Sequence, residues 1–362
     1  MKIVMIINSS NGLYNFRRDL IIQLIKDGHE VVAFTPFIGR ENQLAKIGVR
    51  LVETTIDRRG LNPIKDISLI RLYKRLLKEE RPDIVMTYTI KPNVYGGICC
   101  QALHIPYAGN ITGLGTAFES KGILKTIAIL LNRIALKNAK CVFFENASNR
   151  KLFIDYGVVK EKQTVLLNGA GVNLDHFSLL PYPEKPFPVR FLFMGRVMRE
   201  KGINELFAAI SRLIAEGFDC KLDVLGLMEE SYEHIIRQYE EDGWLYYHGV
   251  QEDVRPFIKT AHCFVLPSYH EGMANTNLES AASGRPIITS NIPGCKEAVI
   301  DGTSGILCEP QNEDDLYEKL KTFINMSMAE KKEMGIQGRK LMESRFDKKE
   351  VVSKTITNLL GR

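Results

Sequence analysis

Short apolar runs and amphipathic stretches alternate along this chain from one end to the other. Runs at 3–7, 31–35, 50–53, 84–88, 107–111, 141–145 and 164–167 have the length and β-branched content of buried strands. The segment 15–26 is amphipathic and stops at Gly28, so the first runs predict a strand–helix–strand unit. A second series of predicted strands follows at 190–194, 222–225, 245–247, 263–266, 287–289 and 305–308. The chain closes with helical patterns at 313–324, 328–344 and 348–360. Alternation of this kind predicts an α/β protein with doubly wound, mostly parallel sheets. Between the two series, Pro181-Tyr182-Pro183-Glu184-Lys185-Pro186-Phe187-Pro188 holds four prolines in eight residues. Proline ends helices and gives a sheet no N–H donor, which predicts a linker at 181–189 between domains at 1–180 and 190–347.

The chemistry concentrates in the second series. His270-Glu271-Gly272-Met273-Ala274-Asn275 stands between a predicted strand and a predicted helix, with Glu279 eight residues beyond Glu271. A helix starting near Ala274 puts Glu271 at its mouth and Glu279 roughly 8 Å along the axis. The free N–H groups of the first turn favour an anion between them. This layout suits a nucleoside-diphosphate sugar, polar at both ends and anionic in the middle. Upstream, Gly195-Arg196-Val197-Met198-Arg199-Glu200-Lys201-Gly202 leaves another predicted strand. Its Arg196 and Lys201, five residues apart, can clamp two phosphates. Taken singly, a glutamate at a helix start is often only a dipole-compensating residue, and a loop lysine is often only solvated. The two elements together, on two strand exits, favour the ligand.

Composition narrows the classes. The chain has 362 residues, of which 45% are hydrophobic and 25% charged, as in ordinary globular domains. Seven cysteines without a C-x-x-C spacing, and a strand beginning at once after Met1-Lys2, predict reduced thiols and a cytoplasmic protein without a secretory leader. No D-x-D pair and no His/Cys cluster offers a metal site, so no metal or other cofactor is expected. Residues 1–185 carry 26 Lys and Arg against 16 Asp and Glu; the remainder carries 22 against 27. The basic half contains two basic amphipathic segments, 66–80 and 120–140. In the latter, Ile123, Leu124, Ile127 and Leu130 lie beside Lys121, Lys125 and Arg133. Such helices can lie on an anionic membrane. Aromatic residues are not interleaved with the basic ones, which argues against nucleic acid. Asn8-Ser9-Ser10-Asn11-Gly12 and Gly113-Leu114-Gly115 read as tight polar turns, neither being a G-x-G-x-x-G fingerprint.

The G-R-x4-K-G and E-G-x6-E elements resemble the donor-site signatures of the retaining family 4 glycosyltransferases. So do Asn168-Gly169-Ala170-Gly171-Val172-Asn173 followed by Phe177, His248-Gly249, and Val265-Leu266-Pro267-Ser268. The stretch Ile111-Thr112-Gly113-Leu114-Gly115-Thr116-Ala117-Phe118 resembles a subgroup that adds N-acetylgalactosamine or related sugars to undecaprenyl-diphosphate-linked saccharides. The resemblance implies the GT-B fold: two Rossmann-like doubly wound domains facing across a cleft, with the last helix, about 348–362, packing back on the first. It implies a UDP-sugar donor, a lipid-linked saccharide acceptor and retention of configuration, with the enzyme peripheral to the inner membrane face. Arg196, Lys201 and Glu271 would be catalytic. Gly12, Gly195, Gly272, Met273, Ala274, Asn275 and Glu279 would bind the donor, and Asn110, Thr112 and Gly113 the sugar or acceptor. Two departures stand out: Ala274 replaces the usual proline, and no histidine occurs at 109–113. A soluble acceptor, a UDP-sugar 2-epimerase on the same fold and a nucleic-acid-binding protein stand as alternatives.

Overall fold

The computed structural model describes residues 1–56, 63–114, 118 and 122–361. They form two compact units, one of Met1–Ala170 with Lys349–Arg362 and one of Gly171–Lys348.

The first unit runs β1 (Lys2–Ile6), α1 (Ser10–Lys26), β2 (Glu30–Thr35), α2 (Glu41–Lys46), β3 (Arg50–Glu53), α3 (Pro63–Glu80) and β4 (Ile84–Tyr88). A π-helical turn (Pro92–Gly96) leads into α4 (Gly97–Ala102), then β5 (Tyr107–Ile111), α5 (Ile123–Leu136), β6 (Cys141–Phe144), α6 (Ala147–Asp155) and β7 (Thr164–Leu166). The seven strands are parallel in the order β3-β2-β1-β4-β5-β6-β7. Alternate residues of each strand feed opposite cores. Val4, Ile6, Val32, Phe34 and Val85 enter one, and Ile3, Met5, Val31, Ala33 and Met86 the other. Burial on both faces is why these strands read as unbroken apolar runs.

α1 begins at Ser10, five residues before the predicted start at 15. Ser9, with extended φ and ψ, caps it by accepting the Gly12 N–H at 2.9 Å. Asn11 and Gly12 are therefore helical rather than part of a polar turn, and the Gly12 N–H is already used.

The second unit runs β8 (Val189–Met194), α7 (Ile203–Ala215), β9 (Cys220–Leu225), α8 (Glu233–Glu241), β10 (Leu245–Gly249), α9 (Arg255–Thr260) and β11 (Cys263–Leu266). It continues through α10 (Asn275–Ala282), β12 (Ile287–Ser290), β13 (Gly305–Cys308), α11 (Glu313–Asn325) and α12 (Met328–Arg345). Its six strands are parallel in the order β10-β9-β8-β11-β12-β13. The last helix, α13 (Lys348–Leu360), puts Val351, Ile356 and Leu359 into the core of the first unit, where Lys140 Nζ also donates to the Leu359 carbonyl at 2.8 Å.

The expected linker at 181–189 belongs to the second unit, which starts at Gly171. A proline-rich segment cannot donate to a sheet, but its carbonyls can accept, and a buried arginine meets them. Arg285 is fully buried. It donates to Pro181 O at 2.6 Å and Ile258 O at 2.7 Å. The Leu180 N–H reaches Ser283 O at 3.2 Å, and Tyr182 OH reaches His262 O at 2.8 Å. Burial without a carboxylate partner lowers the Arg285 pKa to about 10. Arg285→Leu should destabilise the protein by about 3 kcal/mol or more, because several buried carbonyls lose their donor at once. Thermal unfolding would check this; an unchanged midpoint would show that the segment is held by other means.

Candidate functional site

In the second sheet the strand order reverses between β8 and β11. In open parallel sheets the loops at such a switch point diverge and leave a crevice beyond the strand ends. The predicted cation loop leaves β8 there, and the predicted acidic loop leaves β11.

Backbone contacts join these two loops. Lys201 ends a single 3₁₀ turn, Arg199–Lys201. The Glu200 carbonyl accepts the Tyr269 N–H at 2.9 Å and Ser268 Oγ–H at 3.2 Å. Gly202 has φ +71°, and a Cβ there would lie 2.0 Å from the Pro267 carbonyl oxygen, so only glycine permits this approach. Tyr269 OH also donates to Glu205 Oε1 at 2.5 Å. The consequence is an ion pair between Lys201 Nζ and Glu271 Oε1, with side chains only 16% and 12% exposed. A third loop braces this segment: Gly294 packs on the Glu271 backbone and its carbonyl accepts the Ala274 N–H at 2.8 Å.

Ala274 has φ −75°, a value proline could hold. Its N–H is engaged with Gly294, which explains why alanine serves here. Ala274 N-caps α10 and offers no side-chain cap, leaving first-turn donors for a ligand. Met273 and Ala274 are buried, and Gly272 is partly exposed beside them. Asn275 donates to Met273 O at 3.3 Å, and its Oδ1 is buried without a partner.

Glu279 lies one turn into α10. Its residue keeps some accessible surface, but protein atoms crowd the carboxyl. Burial raises its pKa from 4.5 to about 7, with Lys348 pulling the other way. Arg196 is more exposed and pairs with Glu229 Oε2 at 3.0 Å. The Val197 N–H to Leu227 O bond at 2.8 Å and the Glu229 N–H to Val197 O bond at 3.2 Å hold the two loops in register. Gly195 crosses Gly226 so closely that a Cβ on Gly226 would lie 1.7 Å from the Gly195 oxygen.

The structure thus gathers Gly195, Arg196, Lys201, Glu271, Gly272, Met273, Ala274, Asn275 and Glu279 around one strand-exit region of the second unit. Gly12, Asn110, Thr112 and Gly113 belong to the first unit. Asn110 is the penultimate residue of β5; its carbonyl accepts Asn93 Nδ2–H at 2.8 Å, and its Oδ1 is buried without a partner. Thr112 and Gly113 follow, half-buried, while Gly115, Thr116, Ala117 and Lys121 lie outside the described residues.

Sequence reading missed Glu229, Tyr269, Glu205 and Gly294. It also missed a buried ion pair between Arg17 of α1 and Glu145 past β6, with Arg17 4.9 Å over the Tyr88 ring. A signal existed for Glu145, a lone charge ending an apolar run, and for Glu229, which follows a strand adjacent to β8.

Residues 188–326 match the family described as Glycosyl transferases group 1, and residues 11–169 the family described as Glycosyl transferase 4-like domain. The N,N'-diacetylbacillosaminyl-diphospho-undecaprenol alpha-1,3-N-acetylgalactosaminyltransferase of Campylobacter jejuni is 24% identical over 343 residues, 90% of this chain and 89% of that one. The UDP-Gal:alpha-D-GlcNAc-diphosphoundecaprenol alpha-1,3-galactosyltransferase of Escherichia coli is 30% identical over 285 residues, 72% of this chain and 71% of that one. In fold, the chain is similar to Anabaena HepE in complex with UDP-glucose, with a TM-score of 0.81 at 15% identity over all of both chains.

Two outcomes follow from the geometry. Gly202→Ala should push the 3₁₀ turn off Pro267 and slow turnover on the order of a hundredfold, with circular dichroism unchanged; wild-type turnover would contradict the brace. A carboxyl whose folded pKa is raised binds its proton more tightly when folded, so wild-type stability falls as pH rises from about 4.5 through about 7. Glu279→Gln removes that loss and should gain on wild type between pH 5 and pH 8, by up to about 3 kcal/mol. Parallel unfolding curves at both pH values check this.

Proposed function

The chain belongs to the group 1 glycosyltransferases with a 4-like N-terminal domain, and from that premise we propose that it moves a sugar from a UDP-sugar to a polyprenyl-diphosphate-linked saccharide. The observation that carries the donor half is the largely buried Lys201–Glu271 pair at the sheet's switch point. A cation and a carboxylate fixed side by side suit a reacting centre whose two halves develop opposite charge. As the anomeric carbon–oxygen bond breaks, negative charge grows on the diphosphate and positive charge on the sugar ring. Lys201 and Arg196 meet the first, and Glu271 meets the second while accepting hydrogen bonds from sugar hydroxyls. The N–H groups of α10 face the diphosphate. Gly195, Gly272, Met273, Ala274 and Asn275 line the donor, and Glu279 accepts from the ribose. The two cations supply the charge a divalent metal would otherwise supply, so transfer is metal-independent.

The acceptor half rests on the relatives, two of which carry undecaprenol-linked substrates in their names. A third, 26% identical over 304 residues, is a capsular polysaccharide biosynthesis glycosyltransferase of Staphylococcus aureus. We therefore place the reaction in surface polysaccharide or glycan assembly at the inner face of the membrane, with retention of configuration. N-Acetylgalactosamine is the proposed sugar. Asn110, Thr112 and Gly113 of the first unit contact the sugar or acceptor. No helix among the described residues is long and apolar enough to cross a membrane.

A panel of UDP-sugars with a polyprenyl-diphosphate saccharide, run in EDTA, tests this. UDP-N-acetylgalactosamine should give product without added metal. Arg196→Ala and Lys201→Ala should each lower kcat by about 10²–10³. Activity that EDTA abolishes and magnesium restores would refute the metal-free reading. UDP-sugar converted to its epimer without acceptor would replace transferase activity by epimerisation.

A further inference from the structure

α5 of the first unit has two unlike faces. Asn132, Ala135 and Leu136 are buried, with Ala128, Ile129 and Leu131 packed beside them. Ile123, Ile127, Leu130 and Ile134 point away from the protein and are 79, 41, 52 and 47% exposed. Their spacing of four, three and four residues is that of one helical stripe. It runs roughly 16 Å along the axis. Leu124 widens it at 40% exposure. Globular surfaces carry single exposed aliphatics routinely, but a continuous row of this length marks an interaction surface.

The helix's own cations are committed elsewhere. Arg133 donates from Nε to Gly157 O at 3.0 Å and from Nη2 to Tyr156 O at 2.6 Å. Lys125 sits 5.0 Å over the Tyr156 ring. These contacts pin α5 to the turn after α6 and fix the stripe in place. They also remove two of the three cations that sequence reading assigned to lipid headgroups; the third, Lys121, lies outside the described residues. Charge around the stripe still selects its occupant. The described residues 122–144 hold four Lys and Arg and no Asp or Glu. A second copy docking there would bring like charges together, which is unfavourable. An anionic bilayer complements both the apolar row and its positive border.

We propose that α5 is an in-plane anchor, whose Ile123–Ile127–Leu130–Ile134 stripe enters the boundary between headgroups and acyl chains of an anionic bilayer. Apolar burial carries the binding, and the bordering cations add a smaller, salt-sensitive part. The proposal takes its purpose from the reading of a lipid-linked acceptor but stands on the helix surface.

The test uses the full chain and acceptor-free vesicles of phosphatidylglycerol and phosphatidylcholine, read by co-sedimentation. Wild-type protein should bind and should remain substantially bound in 0.5 M NaCl, where surface charge is screened within about 4–5 Å. The double variant I127S/L130S should bind about a hundredfold more weakly. I127L/L130I should bind as wild type. UDP-sugar hydrolysis by the serine variant should be unchanged, which shows that it folds. Absence of wild-type binding, full binding by the serine variant, or complete release in 0.5 M NaCl would overturn the proposal. So would a wild-type dimer that the serine pair dissociates. Vesicle binding without transfer to any polyprenyl-diphosphate saccharide would refute the acceptor reading and leave the anchor standing. Transfer to a short-chain acceptor without vesicle binding would do the reverse.

Discussion

The proposed donor site depends on one backbone oxygen. The Glu200 carbonyl accepts from both the Tyr269 N–H and the Ser268 hydroxyl, tying the loop after β8 to the loop after β11. Gly202 makes the approach sterically possible, and Lys201 is thereby delivered to Glu271. Neither charged residue would hold its place alone: a largely buried lysine or carboxylate needs a partner. Each here is the other's partner, and rigid backbone rather than side-chain preference keeps them together.

That arrangement follows from sheet topology. Parallel strands put all their carboxyl ends on one edge, and the reversal between β8 and β11 opens a gap at that edge. Elements some seventy residues apart in sequence become neighbours because β8 and β11 pair directly. The same logic puts Glu229, after β9, against Arg196, after β8. Arg196, the less buried of the two cations, pairs with a partly exposed carboxylate, and Lys201, the more buried one, pairs with the carboxylate of the neighbouring loop. In the proposed reaction, this difference would give both cations a binding role and centre charge compensation on Lys201.

Much of this was legible in the chain. Strands at 50–53, 84–88, 107–111, 263–266 and 305–308 and the helix at 348–360 lie where the apolar patterns put them. Strands buried on both faces and helices with one apolar side carry strong periodic signals. The placement of the motif residues of the second unit at a strand exit and a helix start was also legible, because an apolar run followed by an amphipathic segment marks both. Pairing was not. Spacing along the chain says nothing about whether Lys201 meets Glu271, Glu205 or a ligand. The capped start of α1 was missed because Asn11 and Gly12 are poor helix formers, and a single Ser9 cap outweighs them. The 181–189 segment was misread because proline content reports what a backbone cannot donate, not what its carbonyls accept. The burial of Arg285, which supplies those donors, lies about a hundred residues away.

The claim that Lys201 and Glu271 act as one unit is tested most directly by a double-mutant cycle on turnover, with Lys201→Met, Glu271→Gln and the pair. The account predicts that each single change slows kcat by about 10²–10³, and that the double variant is within about tenfold of the worse single one, since the first loss already dismantles the unit. Losses that multiply in full would contradict it, showing that the two residues contribute independently and that their contact is incidental to catalysis.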